Sequence, residues 1–267
     1  MKSRWLLTSS VRLLAAASLA GLVVGTAACN VTSPGGAPAS PSPSAAASAD
    51  AGDAKEALSK AAMELGKTSY QVDVVAGPVS STGAMDPVGQ QGTMTTTLFT
   101  GSANATLETT LIGADMWLKI TGLPAVPNKW LHLDTAKLPE DSALGIRPGK
   151  LDPANTDRMI ESITTIERAG ASGYRGTLDL TKASTSAIID KATVDTLGDR
   201  AKAVPFTAMV DAQGRLTNFT MDLGMVEGVP VKVNVTYRDF GAKVSPTRPA
   251  ATDVVEAPDA VYQLLGA

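Results

Sequence analysis

The chain has 267 residues, 44% hydrophobic and 18% charged, with 4% aromatic residues, one Cys, one His and a formal charge of −3. A single Cys excludes an intrachain disulfide framework and any cluster of thiolate metal ligands, and a single His leaves little material for metal-dependent or His-based hydrolysis. There is no basic excess to neutralise phosphates, so nucleic acid is not an expected partner.

The N-terminus reads as an address. Lys2, Arg4 and Arg12 precede Leu13–Val24, a run without charge that is shorter than the roughly 20 apolar residues of a bilayer span. It closes on Gly25-Thr26-Ala27-Ala28-Cys29, and small residues before a lone Cys resemble a bacterial lipobox, although Thr26 stands where a lipobox usually has Leu. Residues 1–28 are therefore expected to be a lipoprotein signal peptide and Cys29 the acylated first residue of the mature chain. Cleavage after Ala28 by the plain secretory route satisfies the same small-residue spacing. Losing residues 1–28 removes three basic and no acidic groups, taking the charge from −3 to −6. Two or three acyl chains would give a lasting anchor, placing the body extracytoplasmically on the outer face of the bacterial plasma membrane.

Residues 29–51 form the expected tether. Asn30 to Ala51 is Pro, Ser, Ala and Gly with one charge; it cannot bury enough surface to fold and would reach roughly 25–30 Å if flexible. The folded domain is expected over residues 52–267. Its first helix starts with Asp53 as cap and Glu56 three residues on, buries Ala54, Leu58, Ala61, Ala62 and Leu65, and stops at Gly66.

The period then changes to two, which marks half-buried strands. Tyr70, Val72, Val74 and Ala76 share one face; Met94, Thr96 and Leu98 follow, then Leu107, Thr109 and Leu111, then Met116, Leu118 and Ile120, then Leu131 and Leu133. A helix is expected from the Asp152-Pro153 cap through Met159, Ile160, Ile163 and Ile166 to Gly170, and another over about Ser184–Leu197, presenting Ile188, Ile189, Ala192 and Leu197. Strands resume at Tyr174–Leu180, Phe206–Val210, Phe219–Leu223 and Val229–Tyr237, with hairpin turns at Asp211–Gly214 and Gly224–Gly228.

Nine strands in hairpin order against three helices give an α+β fold with a largely antiparallel sheet. Asp73, Glu108, Asp115, Lys119, Arg175, Asp179, Asp222, Lys232 and Arg238 fall on the water-facing side. Trp117 and Trp130 share that side, either packing across strands or meeting a membrane or partner. The apolar face either packs fully against the helices or leaves a cavity for an apolar ligand.

Met116-Trp117-Leu118-Lys119-Ile120-Thr121-Gly122, Lys129–Asp134, Leu151-Asp152-Pro153 leading into Met159–Ile163, Gly173–Asp179, the Phe206–Leu223 hairpin and Glu256-Ala257-Pro258 together resemble the LolA-like carriers, in particular the actinobacterial LprG/LppX-type lipoproteins. The likeness lies in the order of elements over about Ala54–Pro258. It implies a strongly curved incomplete β-barrel with helices over its open, concave side. It also implies a cell-envelope lipoprotein, a monomer, that binds an acylated lipid or glycolipid in an apolar cavity and carries or displays it. The inward positions expected to line that cavity are Val72, Val74, Leu98, Leu107, Leu111, Met116, Leu118, Ile160, Ile163, Phe206, Phe219, Met221, Val231 and Val233. The alternative is an interaction or sensory lipoprotein with a filled core and an envelope protein partner.

Chemistry is sparse. His132 is the sole candidate general base, and no G-x-S-x-G elbow accompanies it; it reads as a surface-strand residue, and no enzymatic activity or cofactor is expected. There is no HExxH motif, Cys pair or EF-hand loop. Glu140-Asp141, Asp152 and Asp157 read as solvated loop and helix cap rather than a Ca²⁺ site. Gly145–Lys150 is a turn, since Pro148 has no N–H to offer a phosphate.

Overall fold

In a computed structural model, residues 43–100, 103–123, 128–138, 146–147, 150–183, 189 and 191–264 are described. They belong to a single unit, residues 41–267. Residues 1–42, with Cys29 and the first part of the expected tether, lie outside them, as do Glu140 and Asp141 and residues 184–188.

Helix α1 (Pro43–Met63) runs on as a 3-10 turn, Glu64–Lys67, into a meander: β1 (Tyr70–Ala76), β2 (Val79–Asp86), β3 (Gln91–Thr100), β4 (Ala103–Ile112), β5 (Asp115–Thr121) and β6 (Trp130–Asp134). A short hairpin, β7 (Ile146–Arg147) and β8 (Lys150–Leu151), precedes α2 (Thr156–Glu161). The second meander is β9 (Ile163–Ala169), β10 (Gly173–Leu178), then α3 (Lys191–Leu197), β11 (Val204–Val210), β12 (Leu216–Val226) and β13 (Val229–Arg238). The chain closes with β14 (Val254–Glu256) and α4 (Asp259–Leu264).

Twelve strands make one sheet in the order β14-β6-β5-β4-β3-β2-β1-β13-β12-β11-β10-β9. β13 beside β1 welds the two meanders, and every neighbour is antiparallel except β14, which runs parallel to β6. The outermost strands β14 and β9 do not pair with each other, so the sheet stays open rather than closing into a barrel. The expected α+β, largely antiparallel architecture is therefore present.

Burial follows the period of two. On β1, Tyr70, Val72, Val74 and Ala76 are buried, and on β11 Val204, Phe206 and Ala208 are. The main core is built by β1, β9–β13, α1 and α2. Helix α1 gives it Ala54, Leu58 and Ala61, spaced to share one side, and the 3-10 turn after it adds Leu65. The small Ala side chains let the helix lie close to the strands, and the wholly buried Leu58 contributes about 2 kcal/mol through area removed from water. Phe206 and Phe219 stack at 5.3 Å. A second, smaller core gathers Leu111, Met116, Leu118, Leu133, Leu138, Leu151 and Tyr262. Between the two, the inward row Ser81–Thr96–Leu107–Ile120 is only half-buried.

Several expected elements are corrected. Helix α1 begins at Pro43, so residues 43–51 of the expected tether are helical and Asp53 lies mid-helix instead of capping it. The Asp152-Pro153 helix does not run to Gly170: α2 has six residues, and Asn155 enters it at φ 51° with no side-chain cap. Ile163 and Ile166 then belong to strand β9, because the β-branched run Ile163-Thr164-Thr165-Ile166 fits a pleated surface better than a helix. The second helix covers only Lys191–Leu197 among the described residues; Ile189 and Leu197 are buried, Ala192 is exposed, and Ile188 lies outside them. The reversal after β12 is Glu227-Gly228, both at positive φ, whereas Gly224 marks a register shift within the strand. Strands β2, β7, β8, β9 and β14 have no counterpart in the sequence reading.

After β13 the chain becomes a strap that passes five strands to reach β6. Gly241 N–H donates to the Ser69 carbonyl (2.8 Å) and Gln91 Nε2 to the Val244 carbonyl (3.1 Å). β14 then lies along β6, and the N–H of Asp134 donates to the Tyr262 hydroxyl (2.9 Å) as that ring enters the second core.

Candidate functional site

One cavity of about 390 Å³ lies where the two cores meet. Its walls come from the end of α1 (Ser59, Ala62, Met63), the following turn (Leu65, Gly66), the first residue of β1 (Tyr70), Pro87, and the Leu151-to-Glu161 stretch that carries α2. Leu151 belongs to the second core, and Leu65, Tyr70 and Ile160 to the first.

A tyrosine pair supports this region. Tyr70 and Tyr237 meet edge to face with centroids 5.5 Å apart. The Tyr70 hydroxyl donates to the Leu151 carbonyl (3.2 Å), and the Tyr237 hydroxyl is bonded to Thr156 Oγ1. Burial, helped by the Asp152 carboxylate, pushes both phenols upward, so both remain neutral. They stitch the loop before α2 to β1 and β13. Lys55 Nζ donates to the carbonyls of Glu161 and Ile163, each at 3.0 Å, fixing the end of α2 to α1. The lining combines apolar Ala62, Met63, Leu65, Leu151 and Ile160 with the carboxylates of Asp152, Asp157 and Glu161. An alkyl group is suited to the first set, and a phosphate is repelled by the second.

Of the fourteen positions expected to line a cavity, Ile160 borders this one. Val72, Val74, Ile163, Phe206, Phe219, Met221 and Val233 are buried in the main core, and Val231 is half-buried against it. Leu111, Met116 and Leu118 belong to the second core with Leu107 beside them, while Leu98 is exposed near the end of β3. Sequence reasoning missed Tyr70 and Leu151 as wall residues, although the inward parity of Tyr70 was visible.

His132 has a built environment on the other side of the sheet. Its Nε2 lies 2.8 Å from Asp115 Oδ1 and its Nδ1 2.9 Å from Glu256 Oε1. Both contacts are hydrogen bonds donated by the ring when it carries both protons, the charged form, which has no lone pair left to accept one. Burial lowers the proton affinity of the ring, but the two carboxylates outweigh it and hold the pKa above the usual value near 6.5. Trp117 stacks obliquely on His132 at 5.5 Å and lies under the Arg248 guanidinium at 5.0 Å, which also reaches Asp115 (3.0 Å). Trp117 is accordingly 3% exposed, while Trp130 is half-buried beneath Lys119. The strap thus covers a ring that strand parity alone places outward.

Among the described residues, no group of three or more His, Cys, Asp or Glu side chains could hold a metal ion, and no helix is long and apolar enough to cross a membrane. Neither a scan against family models nor a search of curated proteins gives a match to the chain.

Proposed function

We propose that this chain is a cell-envelope lipoprotein, acylated at Cys29, whose body binds the acyl part of a lipid or glycolipid and carries or displays it. The observation that carries the reading is the cavity of about 390 Å³ between α1, α2 and the start of β1. That volume is at the low end of the roughly 300–1,000 Å³ of small-molecule sites. It suits one chain rather than several, with any anionic headgroup held outside by Asp152, Asp157 and Glu161. In this reading α1 and α2 lie over the concave side of the open sheet, and the half-buried Thr96–Leu107 row is wall left over for a longer ligand. The protein acts as a monomer without cofactor, and His132 fastens the strap instead of catalysing.

Native mass spectrometry on protein lacking residues 1–29 tests the reading. A copurifying lipid mass is expected in the parent and should be lost in Ala62→Phe, which fills the cavity, without a fall in melting temperature. A parent without lipid overturns it. One observation favours the competing role as a filled-core interaction protein: seven expected wall residues are packed in the main core, against α1 and its neighbours. A lipid-free parent that crosslinks to one envelope protein would establish that role.

A further inference from the structure

The two ends of the sheet differ in chemistry. Strand register places the β1–β2 turn, the tips of β3 and β4, the end of β5 and the β12–β13 hairpin at one end: Ala76 pairs with both Val79 and Val233, Val79 with Leu98, and Thr106 with Thr121. This rim spans seven adjacent strands, about 29 Å at the usual spacing. It exposes Val229 (58%), Met225 (52%), Phe99 (51%), Leu123 (44%) and Leu98 (39%). Across residues 76–79, 97–100, 103–105, 120–123 and 224–231 the one charged side chain is Glu227. The opposite end of the same strands carries Glu64, Lys67, Asp86, Asp115, Arg238 and Asp239.

Soluble monomers rarely leave so many large apolar groups in one band. A protein-binding patch is usually ringed by polar groups. Beyond Glu227 in the hairpin turn, the next charges are the paired Asp222 and Lys232, 3.3 Å apart, and Arg200, whose guanidinium holds the Met225 carbonyl at 2.9 Å. An apolar tip with one carboxylate, Glu227 at the exposed hairpin turn, followed by the cations Arg200 and Lys232, resembles the boundary between acyl chains and headgroups.

We propose that this rim is a membrane-docking edge that dips into the outer leaflet of the bilayer. The proposal rests on the anchored-lipoprotein reading for its setting: Cys29 stands 14 residues before Pro43, and even fully extended that many residues span no more than about 50 Å, so an acylated Cys29 keeps the body near the lipid surface. The edge holds the body in one orientation there. Val79 and Leu98, facing each other on the inward side of β2 and β3, continue the half-buried wall down to the bilayer.

The test uses the mature chain from residue 29 with Cys29→Ser, so that no acyl chain contributes, floated with vesicles of phosphatidylcholine and phosphatidylglycerol at about 7:3. Flotation is expected, and it should persist at about 1 M salt because apolar contact is not screened. Phe99→Ser with Val229→Ser should weaken it at least tenfold with an unchanged melting curve. Absence of flotation, flotation abolished by salt, or flotation indifferent to the double change overturns the proposal. Native mass spectra of the same samples separate the two readings: lipid in the cavity without flotation removes the docking edge alone, and flotation without bound lipid removes the carrier role alone.

Discussion

His132 shows how a residue that suggests catalysis can serve assembly. Clamped by Asp115 from β5 and Glu256 from β14, it ties the strap to the sheet through both nitrogens of its ring. A pKa raised on folding gives a definite sign. The stabilisation is fully present below the unfolded value near 6.5 and fades as pH rises through the higher folded value. Because Glu256 is well exposed and Asp115 partly so, solvent screens the pairs and the effect amounts to about 1 kcal/mol or less. The melting temperature of His132→Gln should therefore fall about 2–4 °C below the parent at about pH 5.5, and the gap should narrow as pH rises. A gap that widens with pH would contradict this. The outward parity of His132 and Trp117 was legible in the sequence. The cover over Trp117 was not, because Arg248 lies in an irregular segment with no periodicity to place it.

At the level of elements, legibility followed the strength of the alternation. β1, β11 and β13 from Val233 onward bury every second residue and were readable directly. β2 was invisible because its inward positions, Val79, Ser81, Gly83 and Met85, are mostly small. β9 was misread because Ile160, Ile163 and Ile166 recur every three residues, which imitates a helix, while the chain changes structure at Ser162. Helix α1 was found by its buried side, but the Ser42-Pro43 start signal lies in a Pro-, Ser- and Ala-rich stretch whose composition reads as linker. Tertiary contact, not propensity, holds this helix, so Leu58→Ala should cost about 3 kcal/mol. In urea the midpoint should drop with the slope unchanged. A cost under about 1 kcal/mol would mean that α1 is not part of the core.

For the whole molecule, the strap has two tasks: it covers the β6 side of the sheet with the three-residue β14, and it inserts Tyr262 into the second core. At the other side, β9 exposes Glu167 and Arg168, charges that discourage pairing with a second chain. Removing residues 250–267 should uncover the β6 edge and leave a hole in the second core. Dimers or larger species are expected on size exclusion, with a lowered melting temperature; an unchanged monomer would show that the edge needs no cover. The sheet class was legible from hairpin order. The cavity's position was not, since it depends on how a six-residue helix and a strap-supported core meet, and neither follows from local pattern.

The pairing of β1 with β13 sets a timetable. Gln71 and Arg238, bonded across that seam, are 167 residues apart. The leading hairpins can form early, yet β1 keeps an open flank until β13, more than 150 residues further along, has been made. Such long-range closure is slow. A newly synthesised copy therefore spends its waiting time adhesive along that flank, and anything that holds nascent chains extended would raise the yield of native protein.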